Sequence, residues 1–158
     1  MLQESFRKLL DMPLNELEPQ PLPPGTYLCI VDGQPYFEKA GEEDEIDCED
    51  DETLYVVFTF RPLRVENDVD QGQLREVLNG EMLSDREITY RMFVDQSNQF
   101  KGRINKFLVD DLGIDSTLRL KEALPEAMGK EVYVKLMHQP SKDGRRLLAI
   151  VASTAKVL

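Results

Sequence analysis

The chain has one histidine, two cysteines and no apolar run long enough to span a membrane, and each shortage narrows what it can do. The cysteines, Cys29 and Cys48, fit no metal-binding or redox spacing. Cys29 lies in a strand-like run and reads as a small core residue, Cys48 in an acidic stretch, and a reducing cytoplasm is the simplest assignment. The opening residues Met1 to Lys8 lack the apolar segment of a signal peptide. His138, the single histidine, reads as a surface residue near a turn, and nothing marks it as a base. No nucleophile elbow, zinc-protease, phosphate-loop or dinucleotide motif is present. The acidic run lacks the spacing and turn glycine of a calcium loop. No catalytic residue, cofactor or metal is therefore expected, although scattered acids leave a small metal-dependent hydrolase as a third, weaker reading.

Excess positive charge is missing as well. The net charge is −11, which argues against a strong nucleic-acid footprint. Its distribution changes that picture. Nine of the 30 acids fall between Glu42 and Glu52, and without them the net charge is −2. From Thr53 onward, 16 basic residues face 15 acidic ones. The acidity is local, in a stretch whose like charges repel and stay solvated.

What is present is a pattern of short strands. At 158 residues the chain is read as one domain with its own core. Residues Glu4 to Met12 carry a short helix signal, and Pro19, Pro21, Pro23 and Pro24 then impose an extended segment, so 1–24 is a helix plus a proline-rich extension. Gly25 turns into a first strand, Thr26 to Val31. A polar connection follows, taken as a mobile acidic loop over 34–53. Leu54 to Val65 is the clearest strand, with Leu54, Val56, Phe58 and Phe60 on one face. Gln71 to Leu83 reads as helix and Ile88 to Asp95 as a third strand. Gly102 to Leu112 is amphipathic, with Ile104, Phe107, Leu108 and Leu112 forming one stripe closed by Gly113. A second short helical pattern, Leu118 to Met128, is broken by Pro125. Glu131 to Gln139 and Arg145 to Val157 are strands joined by a turn at 140–144. The order β-β-β-α-β-β is that of a mainly β fold. It fits a five-stranded OB-like Greek-key barrel with a helix between strands three and four and a short N-terminal helix.

The run Asn105-Lys106-Phe107-Leu108, then Leu112-Gly113-Ile114, is followed by Leu124 and by Met128-Gly129-Lys130-Glu131-Val132-Tyr133-Val134. A Lys-Asp-Gly turn and a last apolar strand come after it, and Leu22-Pro23-Pro24-Gly25-Thr26-Tyr27 opens the first strand. This resembles phage-encoded OB-fold proteins of the single-stranded-DNA-binding type, over roughly Pro23 to Val157. The resemblance implies a non-enzymatic protein acting in DNA replication or recombination, in the bacterial host cytoplasm if phage-encoded. The long acidic insert and the neutral remainder depart from that family.

OB barrels bind strands around their second and third strands, bordered by the one–two and four–five loops. Single-strand binding needs aromatic faces for bases and cations for phosphates. The outward faces inferred here supply Tyr55 and Arg61 from strand two, Arg91 and Phe93 from strand three, and Tyr133 and Lys135 from strand four. The four–five turn adds Lys142, Arg145 and Arg146. Each aromatic also fits a packing role, and the basic turn also fits a solvated hairpin. The expected partner is single-stranded DNA bound with little sequence preference. Replication or recombination proteins are further candidate partners, through the acidic segment 42–52, which also fits a competitor for the cationic face. The alternative is an acidic protein-interaction adaptor, or a DNA mimic that binds a nucleic-acid enzyme.

Overall fold

A computed structural model of the chain describes residues 2–14, 20–39, 54–94 and 97–158. The acidic stretch 42–52, Cys48 and Asp95 lie outside the described residues. Six strands form one antiparallel sheet: β1 (Gly25–Val31), β2 (Tyr36–Lys39), β3 (Leu54–Val65), β4 (Ile88–Val94), β5 (Glu131–Pro140) and β6 (Leu147–Ala155). Helices α1 (Leu2–Asp11), α2 (Gln71–Leu78), α3 (Asn98–Asn105) and α4 (Leu120–Glu126) accompany it. No helix among the described residues is long and apolar enough to cross a membrane.

The long strand β3 organises the sheet. Its β-branched and aromatic residues alternate, so Val56, Phe58 and Phe60 point into the core. Along one edge it pairs with β4, from Leu54↔Val94 to Phe60↔Ile88. Along the other it pairs with β2 (Tyr36↔Val57) and then β1 (Val31↔Phe60), so β1 and β2 act as one strand bent at 32–35. The register of β1 slips between Leu28 and Cys29, which leaves Leu63 unpaired and exposed. Pro62, which has no N–H to donate, sits at this bulge, where a strand tolerates it. The opposite edge of β1 pairs with β5 (Cys29↔Val132), and β5 pairs with β6. Strands β4 and β6 approach over part of their length but share no ladder, so the sheet is open there.

Pro125 lies inside α4 and does not break it, a correction to the expected break, and β6 is shorter at both ends than the expected Arg145 to Val157. Expected and observed elements differ further at three places. The connection assigned to loop from residue 34 contains strand β2, a correction to that boundary. The helix expected over Gln71 to Leu83 stops at Leu78, because Asn79 turns left-handed (φ 46°) and caps it; a short 3₁₀ turn, Leu83–Asp85, follows. The amphipathic helix starts at Asn98, where the Ser97 side chain accepts from the Phe100 N–H, and widens into a π-helical segment over Lys106–Asp111. There Leu112 N–H donates to Phe107 C=O, five residues back. Its apolar stripe is buried as expected: Ile104, Phe107, Leu108 and Leu112 all join the core.

Phe107 sits at the centre of that core. Its ring lies 4.7 Å from Phe58, 5.8 Å from Phe60 and 5.8 Å from Tyr90, edge-on to each. The π segment is tied to β6 by polar contacts. Buried Asp111 accepts from Lys106 Nζ at 3.0 Å and from Thr154 Oγ1 at 2.5 Å, and Lys106 Nζ also donates to the Thr154 carbonyl. Gly25 opens β1 at φ +133°, where a Cβ would meet Val69 Cγ2 at 2.6 Å, so this position requires glycine. His138 is half-buried rather than on the open surface, with Nε2 2.8 Å from the Leu22 carbonyl. Cys29 is fully buried, and desolvation pushes its thiol up to about 12.

Candidate nucleic-acid interface

Strand parity decides which side chains share a face. Core-facing Val56, Phe58 and Phe60 leave Tyr55, Val57, Thr59 and Arg61 on the outer face of β3. The ladders carry that parity sideways. Tyr55 lies between Glu38 of β2 and Phe93 of β4, and Val57 lies between Tyr36 and Arg91. The outer face of β2–β3–β4 therefore gathers three aromatic residues, Tyr36, Tyr55 and Phe93, with Arg91 among them.

The geometry of this patch suits stacking. Tyr55 and Phe93 are half-buried and meet edge-to-face at 5.8 Å and 69°. Tyr36 is 50% exposed. Val57 is fully buried between Tyr36 and Arg91, so the patch has an apolar floor. Arg91 Nε donates to Glu38 Oε2 at 3.3 Å, with both side chains about half exposed. Such a surface pair is worth under ~1 kcal/mol, so a phosphate can exchange for Glu38 at little cost.

Arg61 stands on the same face but is committed elsewhere. Its Nε and Nη2 donate to Asp32 Oδ2 at 3.0 and 2.6 Å, Nη1 donates to the Ser84 carbonyl, and Glu87 lies at 3.5 Å. The hydrogen bonds and charge of Asp32 raise its pKa further. Arg61 thus fastens the 83–87 turn to the end of β1.

The other expected residues lie apart from the aromatic patch. Tyr133 pairs with Leu28, which pairs with Arg64, nine residues along β3 from Tyr55, or roughly 30 Å of strand. Lys135 is exposed beside it, opposite Thr26. Asp68 accepts from the Thr26 N–H and hydroxyl at 2.8 and 2.7 Å, which lowers its pKa, and Lys135 adds to that shift. Lys142, Arg145 and Arg146 occupy the β5–β6 turn, past the start of β1. Asp143 shapes that turn by accepting from Ser141 Oγ and the Arg145 N–H, and these bonds hold its carboxyl below the usual range.

Sequence reasoning missed Tyr36. The signal was an aromatic pair, Tyr36-Phe37, just after the Asp32-Gly33 turn, masked by the polar and acidic residues that follow. Among the described residues no cluster of acids, cysteines and histidine could hold a metal ion. No protein-family model matches this chain, and no curated protein matches it either.

Proposed function

We propose that this protein is an OB-type module that binds single-stranded DNA, largely without sequence preference, across the outer face of β2–β3–β4. The connectivity supports the OB reading. A bent first strand, β3 and β4 form a meander; a helix follows; then β5 returns to β1 and β6 flanks β5. The observation that carries the function is half-exposed Tyr36 with the partly buried pair Tyr55 and Phe93, beside a loosely held Arg91. Two stacked bases at ~1–3 kcal/mol each, with a few phosphate contacts, sustain modest affinity. A role in phage-type replication or recombination fits this chemistry and the sequence resemblance.

The test is a fluorescence-anisotropy titration with labelled oligo-dT at several salt concentrations. Binding is expected to saturate and to weaken as salt rises. Phe93→Ala and Tyr36→Ala each weaken it by ~1–3 kcal/mol with unchanged thermal melts. Arg91→Ala lowers the salt slope by about 0.7. Parent-like binding by all three variants refutes this face as the site. No binding by the parent itself moves the assignment to the acidic adaptor or DNA mimic, which the net charge of −11 favours.

A further inference from the structure

We propose that the cleft between the free edges of β4 and β6 docks a short, extended, acidic segment of a partner protein as an added strand. The cleft has a volume of about 520 Å³ and is walled by Ile88–Arg91 on one side and 148–151 on the other. The ladders fix which backbone groups face it. Thr59 C=O accepts from Asp32 N–H, so Thr59 bonds toward β1 and leaves its β4 partner, Thr89, without a bond from β3. Thr89 and Arg91 therefore turn N–H and C=O into the cleft. On β6, Ser141 N–H donates to Arg146 C=O, which makes 141↔146 a bonded pair. Counting inward along the ladder, Ala149 and Val151 turn their backbone groups away from β5, toward the same cleft.

Strand direction completes the fit. Each of the ladders β4–β3, β3–β1, β1–β5 and β5–β6 is antiparallel, so β4 and β6 run parallel to each other. An added strand can run antiparallel to either edge, and to both only where they part. Four residues of it, roughly 13 Å, match the length of the β4 wall. Charge selects the occupant. Three arginines, Arg86, Arg91 and Arg103, border the cleft against one acid, Glu87. Arg86 donates to the Gln20 carbonyl and Arg91 to Glu38, whereas Arg103 has no ion pair among the described residues. Leu22, Leu136 and Leu148 supply apolar lining for alternate side chains. An extended segment alternating acidic and apolar residues meets all of these groups. This site is separate from the aromatic patch except for Arg91, so the test leaves that residue intact.

The probe is a fluorescein-labelled peptide of about six residues alternating glutamate with valine, beside a control alternating lysine with valine. Saturable binding of the acidic peptide only is expected, with slowed hydrogen exchange at the Thr89 and Ala149 amides. Arg103→Glu should weaken it about fivefold or more. Ala149→Pro removes a cleft-facing N–H without touching the β5 ladder and should weaken it about 2–10-fold, with oligo-dT affinity unchanged. If Ala149→Pro does not fold, Arg103→Glu and the exchange pattern decide. Equal binding of both peptides, no binding, or binding indifferent to Arg103→Glu overturns the proposal. So does protection of the same amides in a concentration-dependent dimer without peptide, which would assign the edges to a second copy.

Discussion

Truncating Phe107 to alanine removes the side chain on which three other rings converge. Phe107 is 1% exposed, and its edge-to-face contacts reach both β3, through Phe58 and Phe60, and β4, through Tyr90. Deleting a buried phenylalanine costs about 3–5 kcal/mol, transfer and cavity together. Each aromatic pair adds ~0.5–1.5 kcal/mol beyond area. The π segment that carries Phe107 is tied to β6 through Asp111, which limits collapse of the cavity. The expected loss is therefore at the upper end, about 4–5 kcal/mol. Against a total of ~5–15 kcal/mol, the variant keeps its fold with a much reduced margin. For a domain of this size the melting point falls by roughly 12 °C. Urea titration followed by far-UV circular dichroism measures the loss, with Phe107→Leu as a milder comparison at about 1–2 kcal/mol. A loss below ~1 kcal/mol for the alanine variant would show that the helix does not plug the core and that the ring cluster is wrongly assigned.

Two further outcomes follow from the titratable groups. Asp68, Asp115 and Asp143 are held below the ordinary carboxylate value by hydrogen bonds from Thr26, Thr117 and Ser141. Their folded pKa lies below the unfolded one, so their contribution is present above about pH 4 and is lost as pH falls through the folded values. The urea midpoint should fall between pH 5 and pH 2, and a flat profile contradicts this. Cys29, pushed up to about 12 by burial, should resist a thiol reagent at pH 8 until the protein unfolds. Native protein should then leave at least one thiol unlabelled that denatured protein exposes, and immediate labelling of both cysteines would place Cys29 at the surface.

Much of the sheet was legible because burial on one face writes an alternating pattern into the chain. Leu54 to Val65 is the strongest instance, and its observed bounds match. The strand β2 was not legible. It pairs along β3 only, Tyr36 and Phe37 are each half exposed, and no apolar alternation marks it. The π segment was hidden because a stripe at i, i+3 and i+4 looks the same whether the turn holds four residues or five. Arg61 was placed on the correct face, yet Asp32 and Ser84 take up its guanidinium, and such long-range partners leave no mark on a single sequence. Tyr133 and the 142–146 turn share an outward phase with the patch, but ladder register, not phase, sets the distance along the sheet.

The order of pairings along the chain has a kinetic consequence. The bent β1–β2 strand, β3 and β4 form a meander whose ladders close between neighbours in sequence, whereas the β1–β5 ladder joins Cys29 to Val132 across α2, α3 and α4. Contacts that span so much chain form late, because loop closure must be met before they contribute. The meander can assemble early, with β1 waiting along its unpaired edge. The β5–β6 hairpin then docks onto that edge as a unit, held by one strand ladder and by the Lys106–Asp111–Thr154 tie. During synthesis, β1 stays an open edge until residues beyond Glu131 emerge, and that interval is when the chain is most exposed to pairing with the wrong strand.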